Sequence, residues 1–314
     1  MRKLSGTIVA VGLLGGTAAQ AAAPCADPAT LGTSREIAVG GPVELGLKTY
    51  PHSLALEDHE VVLTFDDGPN PDTTPKILDA LEKQCVKATF FLIGANARAH
   101  PDLVKREIDD KFTVGHHTLT HPAATLRGLT PEDARKNIEQ GFEADDKAAY
   151  GSYSGAPKVK FFRFPGFADT PETLAYLNSK NVAVFGTDLW ASDWIPMSPE
   201  QELRLIMGRL RRAGRGIVLL HDIKRQTAAM LPAFLAALKT EGFRVVHLVP
   251  GTSPPALSET PRGWTSETGE ILAHMSTKAL KTARHEPAPR PPAAELKPTL
   301  IPDDPLPEEP AGAR

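Results

Sequence analysis

The feature that most constrains this chain is the alternation of short apolar runs with amphipathic segments between residues 60 and 250. Glu60-Val-Val-Leu-Thr-Phe65 is β-branched and almost continuously apolar, which predicts a buried strand. Pro75–Lys83 follows with apolar residues at helical spacing and a proline near its first turn. The pattern then repeats. Further strands are predicted at Ala88–Ile93, around Val114, and at Phe161–Phe164, Val182–Gly186, Gly216–Leu220 and Phe243–Val249. Helices are predicted at Pro101–Ile108, from Thr130 to about Lys147, and at Pro171–Ser179, Pro199–Ala213 and Ala228–Lys239. Thr130 is the expected cap of the longest helix, with Asp133 in the position of its capping-box partner. Such alternation argues for an α/β fold with a parallel sheet, and about seven strands suit a barrel better than an open sheet. Active groups in parallel barrels collect at the carboxyl ends of the strands.

The flanks read differently. Arg2 and Lys3, the apolar stretch Ile8–Leu14 and the small-residue pattern at Ala19-Gln20-Ala21 resemble a secretory signal over 1–21, too short to anchor the chain in a bilayer. Residues 22–57 form an extension with weak periodicity, 58–250 the main domain, and 251–314 a tail in which 12 of 64 residues are proline. Most of that tail is expected to lack a core of its own, apart from one short helix at Gly269–Leu280. Export gives the two cysteines a meaning: Cys25 and Cys85 are expected to pair as a disulfide rather than bind metal. A periplasmic or secreted bacterial protein is the expected setting. The net charge of −3 offers no basic footprint for nucleic acid, and no later segment reads as a membrane span.

Ionisable residues recur where strands end. The first strand runs into Asp66-Asp67-Gly68-Pro69, a sequence that by itself also makes a turn. The third runs into His116-His117-Thr-Leu-Thr-His121. Two histidines four positions apart share a face of a helical turn and can chelate one ion with Asp67 or Asp66 as the carboxylate, leaving positions open for water and substrate. His116 reads as a solvated bystander. Arg163 ends an apolar strand and needs an acidic partner, because an unpaired buried charge is costly. Asp193-Trp194 and His221 follow at later strand ends. Packing alone does not place ionisable groups at five strand ends.

These residues resemble the motifs of the polysaccharide deacetylase family, carbohydrate esterase family 4, also called the NodB-homology domain. The likeness covers about residues 60–250, and Thr64-Phe-Asp-Asp-Gly68 with His117-Thr-Leu-Thr-His121 is its most specific part. The resemblance implies a distorted (β/α) barrel with about seven strands. It implies that Asp67, His117 and His121 bind a divalent metal, zinc first, with cobalt or another divalent ion as substitutes. Asp66 would be the general base held by Arg163, and His221 the general acid fixed by Asp193. Trp194 and Leu219 would line the acetyl pocket, with Pro165 and Gly166 also facing substrate and a backbone N–H near Gly166 serving the oxyanion. Two departures stand out. Gly166-Phe167 follows Pro165 where the family usually has tyrosine, and the acid that usually precedes Asp193 is absent, with Asp188 further off.

The function implied is removal of N-acetyl groups from N-acetylglucosamine-type residues of a glycan such as peptidoglycan, a chitin oligomer or an exopolysaccharide. O-acetyl esterases, acetylxylan esterases among them, and non-sugar amidases share this ligand set. A non-haem iron oxygenase would also share it but would leave Asp66 and His221 idle. A non-catalytic glycan-binding protein has no need to keep either.

Overall fold

The computed structural model describes residues 29–269. The expected secretory signal, Cys25 and with it the Cys25–Cys85 link, and the proline-rich segment from residue 270 onward lie outside the described residues.

Seven stretches build a closed parallel ring: β3 (Glu60–Asp66), β4 (Thr89–Leu92), β5 (Thr113–His116), β6 (Phe161–Phe162), β7 (Ala183–Phe185), β8 (Leu189–Trp190) and β9 (Gly216–His221). Pairing runs from β3 through β4, β5 and β6 to β7. The chain then bends at residues 186–188, so that β8 pairs with β9, and β9 returns to β3. One chain segment thus serves two neighbours in turn, which closes the ring and distorts it. Asp188 holds the bend: its half-buried carboxylate accepts from the Leu47 and Ile217 N–H groups and from the Ser53 hydroxyl. It is a structural acid and not the missing acid of the Asp193 motif.

Outside the ring, β10 (Arg244–Pro250) pairs with the first residues of β3 and with β1 (Thr33–Val39), and β2 (Glu44–Leu45) pairs with β7. The extension, weak in sequence signal, therefore supplies two strands to the sheet. β1 is an edge strand with mostly exposed side chains, so burial imposes no alternating apolar pattern on it. Its Arg35 instead forks onto buried Glu60 at 2.7 and 2.6 Å. Residues after Pro250 also pack back: Leu257 bridges Leu54, and the Trp264 indole N–H donates to Leu47 O at 2.7 Å.

The helices are α1 (Thr74–Lys83), α2 (Gly94–Ala99), α3 (Pro101–Asp109), α4 (Pro131–Tyr150), α5 (Pro171–Ser179), α6 (Pro199–Ala213) and α7 (Arg225–Thr240). Thr130 caps α4 by accepting from Asp133 N–H, as its sequence predicts. Period-two alternation sorts the strand side chains. Leu63, Phe65, Val218 and Leu220 face outward into a core shared with Leu78, Leu231 and Phe234 of the helices. Val62, Phe91, Phe161, Phe185 and Ile217 fill the ring. Each such buried side chain contributes about 1.5–3 kcal/mol, so the register is strongly fixed. Continuing the inward alternation from Val62 and Ile217 brings Asp66 and His221 to the carboxyl rim, where they are direct partners across β3 and β9.

Candidate active site

Asp67 begins the loop after β3 with a left-handed backbone (φ 77°) that turns its side chain toward the histidine loop. Those histidines do not share a helical turn. Residues 117–121 are an irregular loop in which Thr118 and His121 take positive φ (69° and 46°), and that folding brings the two rings to 5.1 Å. Such backbone is strained for residues with side chains and has to be held by its surroundings. Asn137 of α4 holds it by accepting from Leu119 N–H at 2.9 Å and donating to the Thr120 hydroxyl at 2.9 Å. Gly141 of α4 lets the helix approach: a Cβ there would lie 2.7 Å from the Thr118 backbone.

One ligand atom each of Asp67, His117 and His121 falls within 4.8 Å of the others. His117 Nε2 and His121 Nε2 lie 3.5 and 3.8 Å from Asp67 Oδ1. Ligands about 2.1 Å from a tetrahedral ion sit roughly 3.4 Å apart, so the spacing fits one first-row divalent cation. The donor set fits as well. His117 Nδ1 donates to Arg163 O at 2.8 Å, which fixes the tautomer and leaves Nε2 as a lone-pair donor. Burial, with His121 alongside, pushes the His117 imidazole down to about 3, so it is neutral at physiological pH. Asp67 Oδ1 is buried with no hydrogen-bond partner, an orphaned anion oxygen that a cation would satisfy.

Arg163 is wholly buried and makes four hydrogen bonds. It donates to Asp66 Oδ1 at 2.7 Å, to the Thr64 hydroxyl at 2.9 Å, and to the carbonyls of Gly186 and Phe185 at 2.8 and 3.2 Å. Its guanidinium also lies over the Phe91 ring at 4.4 Å. Burial pushes the Asp66 carboxyl above its ordinary value even though Arg163 pulls the other way. On the neighbouring strand, His221 Nδ1 donates to Asp193 Oδ1 at 2.8 Å, and its backbone N–H donates to Asp193 Oδ2 at 2.7 Å. Burial alone would lower the His221 imidazole, but the Asp193 carboxylate overrides it and holds the ring up at about 9.

The remaining expectations divide. His116 is not solvated: it is buried, 2.8 Å from Asp145 Oδ2 and 3.1 Å from Val159 O, and serves packing. Trp194 is half-buried, its ring edge-on to His221 at 6.0 Å, and it continues through Trp190 to Phe167 as an aromatic row. Trp190, in the same row, carries no sequence signal beyond its type. Leu219 is buried one step below His221 on the inward face of β9. Pro165–Phe167 forms a 3₁₀ turn with Gly166 at φ 58°, and the bonds of that turn use the N–H groups of Phe167 and Ala168 rather than Gly166.

The comparisons point to one family. The family profile described as polysaccharide deacetylase matches residues 53–185. A peptidoglycan-N-acetylglucosamine deacetylase of Bacillus cereus is 32% identical over 203 residues, 63% of this chain and 70% of that one. The chain belongs to the polysaccharide deacetylase family. A chitooligosaccharide deacetylase of Sinorhizobium fredii is 30% identical over 215 residues, 64% of this chain and 95% of the relative. Among solved structures, the Bdellovibrio bacteriovorus peptidoglycan deacetylase Bd3279 superposes with a TM-score of 0.57 at 31% identity. That match covers 70% of this chain and 61% of the other, so the polysaccharide deacetylase fold here spans under two thirds of that protein's length. These similarities make the chain an enzyme of the polysaccharide deacetylase class.

Proposed function

We propose that this chain is a metal-dependent hydrolase that removes N-acetyl groups from N-acetylglucosamine residues of a glycan, and that it works outside the cytoplasm. The observation that carries the reading is the joining of three groups at one rim: the Asp67–His117–His121 triad, the Asp66–Arg163 pair and the His221–Asp193 pair. Its relatives act on peptidoglycan and chitooligosaccharides, both built on N-acetylglucosamine.

Asp67, His117 and His121 would hold a divalent ion, zinc first. When bound, that ion acidifies water and polarises the acetyl carbonyl. Asp66 takes the proton released as water adds to the carbonyl carbon, with Arg163 fixing its carboxylate in place. His221 delivers a proton from Nε2 to the amide nitrogen, because an amine leaves poorly until protonated. Asp193, bonded to Nδ1, fixes the tautomer that leaves Nε2 facing the substrate. One amide and one water become acetate and a free amine, and Asp66 and His221 return to their starting states when the protons re-equilibrate. The Gly166 N–H would share the carbonyl oxygen charge. Trp194 and Leu219 would wall the acetyl group, with Pro165 beside the sugar.

Export goes with the Cys25–Cys85 link, which thiol titration of unreduced protein tests by finding no reactive thiol. The activity is tested by acetate release from N-acetylglucosamine oligomers beside O-acetylated xylan. Faster release from the oligomers supports the amidase; release from xylan alone makes it an esterase.

A further inference from the structure

The general acid does not end at Asp193. Thr227, in the first turn of α7, has one hydroxyl hydrogen and faces two carboxyl groups: Asp193 Oδ2 at 2.8 Å and Glu202 Oε1 of α6 at 3.0 Å. Thr227, Asp193 and Glu202 are all fully buried. Asp193 already accepts from His221 Nδ1 and from the His221 backbone N–H, and among the described residues Thr227 is the one other donor to its carboxylate. Asp193 is therefore the anion and Thr227 its donor. That leaves the Thr227 oxygen only able to accept, and the group opposite it has to supply the hydrogen.

We propose that Glu202 is held as a neutral carboxylic acid that donates through the Thr227 hydroxyl into Asp193, and so acts as a positioning residue for His221. The chain runs Glu202 Oε1–H to Thr227 Oγ1–H to Asp193 Oδ2, while Asp193 Oδ1 takes the Nδ1–H of His221. The opposite assignment, two buried carboxylates against one hydroxyl, would leave lone pair facing lone pair in a site with no water to spread the charge. Glu202 Oε2 is buried without a partner, which a neutral carbonyl oxygen tolerates better than a carboxylate oxygen. Among the described residues no ion pair forms at Glu202, and Arg209 of the same helix donates to Trp190 O and to the Ser192 hydroxyl. Burial, and then Asp193, push the Glu202 carboxyl up to about 8, in line with the proton count.

The consequence is control of charge at the acid. His221 is faced by Asp193 after β8, by Asp66 and Asp67 at the end of β3, by its neighbour Asp222, and by Glu202 across α6. A further anion at Glu202 would hold the imidazolium proton more tightly and make it a poorer donor. A neutral Glu202 anchors Asp193 without that cost.

This inference rests on the deacetylase reading only for its kinetic consequence, so the test has two separate readouts. The first is the infrared difference between metal-free wild type and Glu202→Gln at neutral pH. It is expected to contain the carbonyl stretch of one buried protonated carboxylic acid; its absence overturns the proposal whatever the activity. The second is the pH profile of kcat/KM. Glu202→Gln, which can still donate to Thr227, is expected to keep the alkaline limb where it is. Thr227→Val is expected to raise that limb by about half a unit to one unit and lower kcat roughly tenfold with KM unchanged. A fall of the alkaline limb by about one unit in Glu202→Gln would mean that an anion had been removed, and the proposal would be wrong. An infrared band with no acetate release from any glycan keeps the relay and overturns the deacetylase reading instead.

Discussion

Replacing Arg163 with methionine removes a charge that the fold has fully committed. The side chain is completely buried, and its loss strands Asp66, 3% exposed, together with the carbonyls of Gly186 and Phe185. Breaking a buried pair by deleting one partner costs about 3–5 kcal/mol, because the surviving charge is left uncompensated. In a folded unit of this size each kcal/mol moves Tm by about 2–4 °C, so a loss of roughly 6–20 °C is expected. The stranded carboxyl also gives the loss a pH signature. Its folded pKa, already raised by burial, rises further without Arg163. A carboxyl raised in the folded state favours folding only while protonated, so the deficit of Arg163→Met should shrink as pH falls through the acid range. Adding Asp66→Asn removes the stranded charge, and the double variant is expected to recover at least about 2 kcal/mol over Arg163→Met. Urea melts of chelator-treated protein measure all three, free of any contribution from bound metal. A single variant losing less than about 1 kcal/mol, or no recovery in the double, would refute the argument that Arg163 is there to compensate Asp66.

Four further outcomes follow from the same geometry. Asp67→Ala, His117→Ala and His121→Ala should each lose bound zinc and turnover together, while Asp66→Asn keeps the zinc and loses turnover; metal analysis beside acetate assays separates the two groups. His221 should lose its proton near pH 9, so the alkaline limb of kcat/KM lies there, and Asp193→Asn should drop it toward the ordinary imidazole value of about 6.5. The stability linked to that pair is complete below about pH 6.5 and disappears as pH rises through 9, because the raised pKa belongs to the folded state; melts of wild type and Asp193→Asn across this window read it directly. Gly141→Val would drive a side chain into the Thr118 backbone, costing about 1–3 kcal/mol and weakening metal affinity by distorting the histidine loop, both measurable by melt and titration.

Strong, local signals made the barrel legible in the sequence. Pro171–Ser179 and Pro199–Ala213 appear as helices at the residues expected, because a proline-marked start and an apolar stripe define them without help from the rest of the fold. The apolar run Glu60–Phe65 likewise placed Asp66 where β3 ends. Where tertiary contacts decide, the sequence was silent. β1 is an exposed edge held by β10 and Arg35, and β8 is a two-residue strand beyond a bend held by Asp188. The histidine spacing pointed to the two rings that the structure brings together, but for the wrong local reason, since left-handed backbone rather than a helical turn joins them. His116 looked solvated only because its partner, Asp145, lies 29 positions away. Thr227 and Glu202 sit on helices next to ordinary polar residues, so nothing but the fold links them to His221.

The central claim is that Asp67, His117 and His121 hold a metal on which deacetylation depends. The most direct measurement follows acetate release from N-acetylglucosamine oligomers by purified protein, before chelation, after it, and after stoichiometric zinc is returned. Activity that disappears with the chelator and returns at one zinc per chain is the predicted result. Undiminished acetate release from metal-free protein would contradict the account.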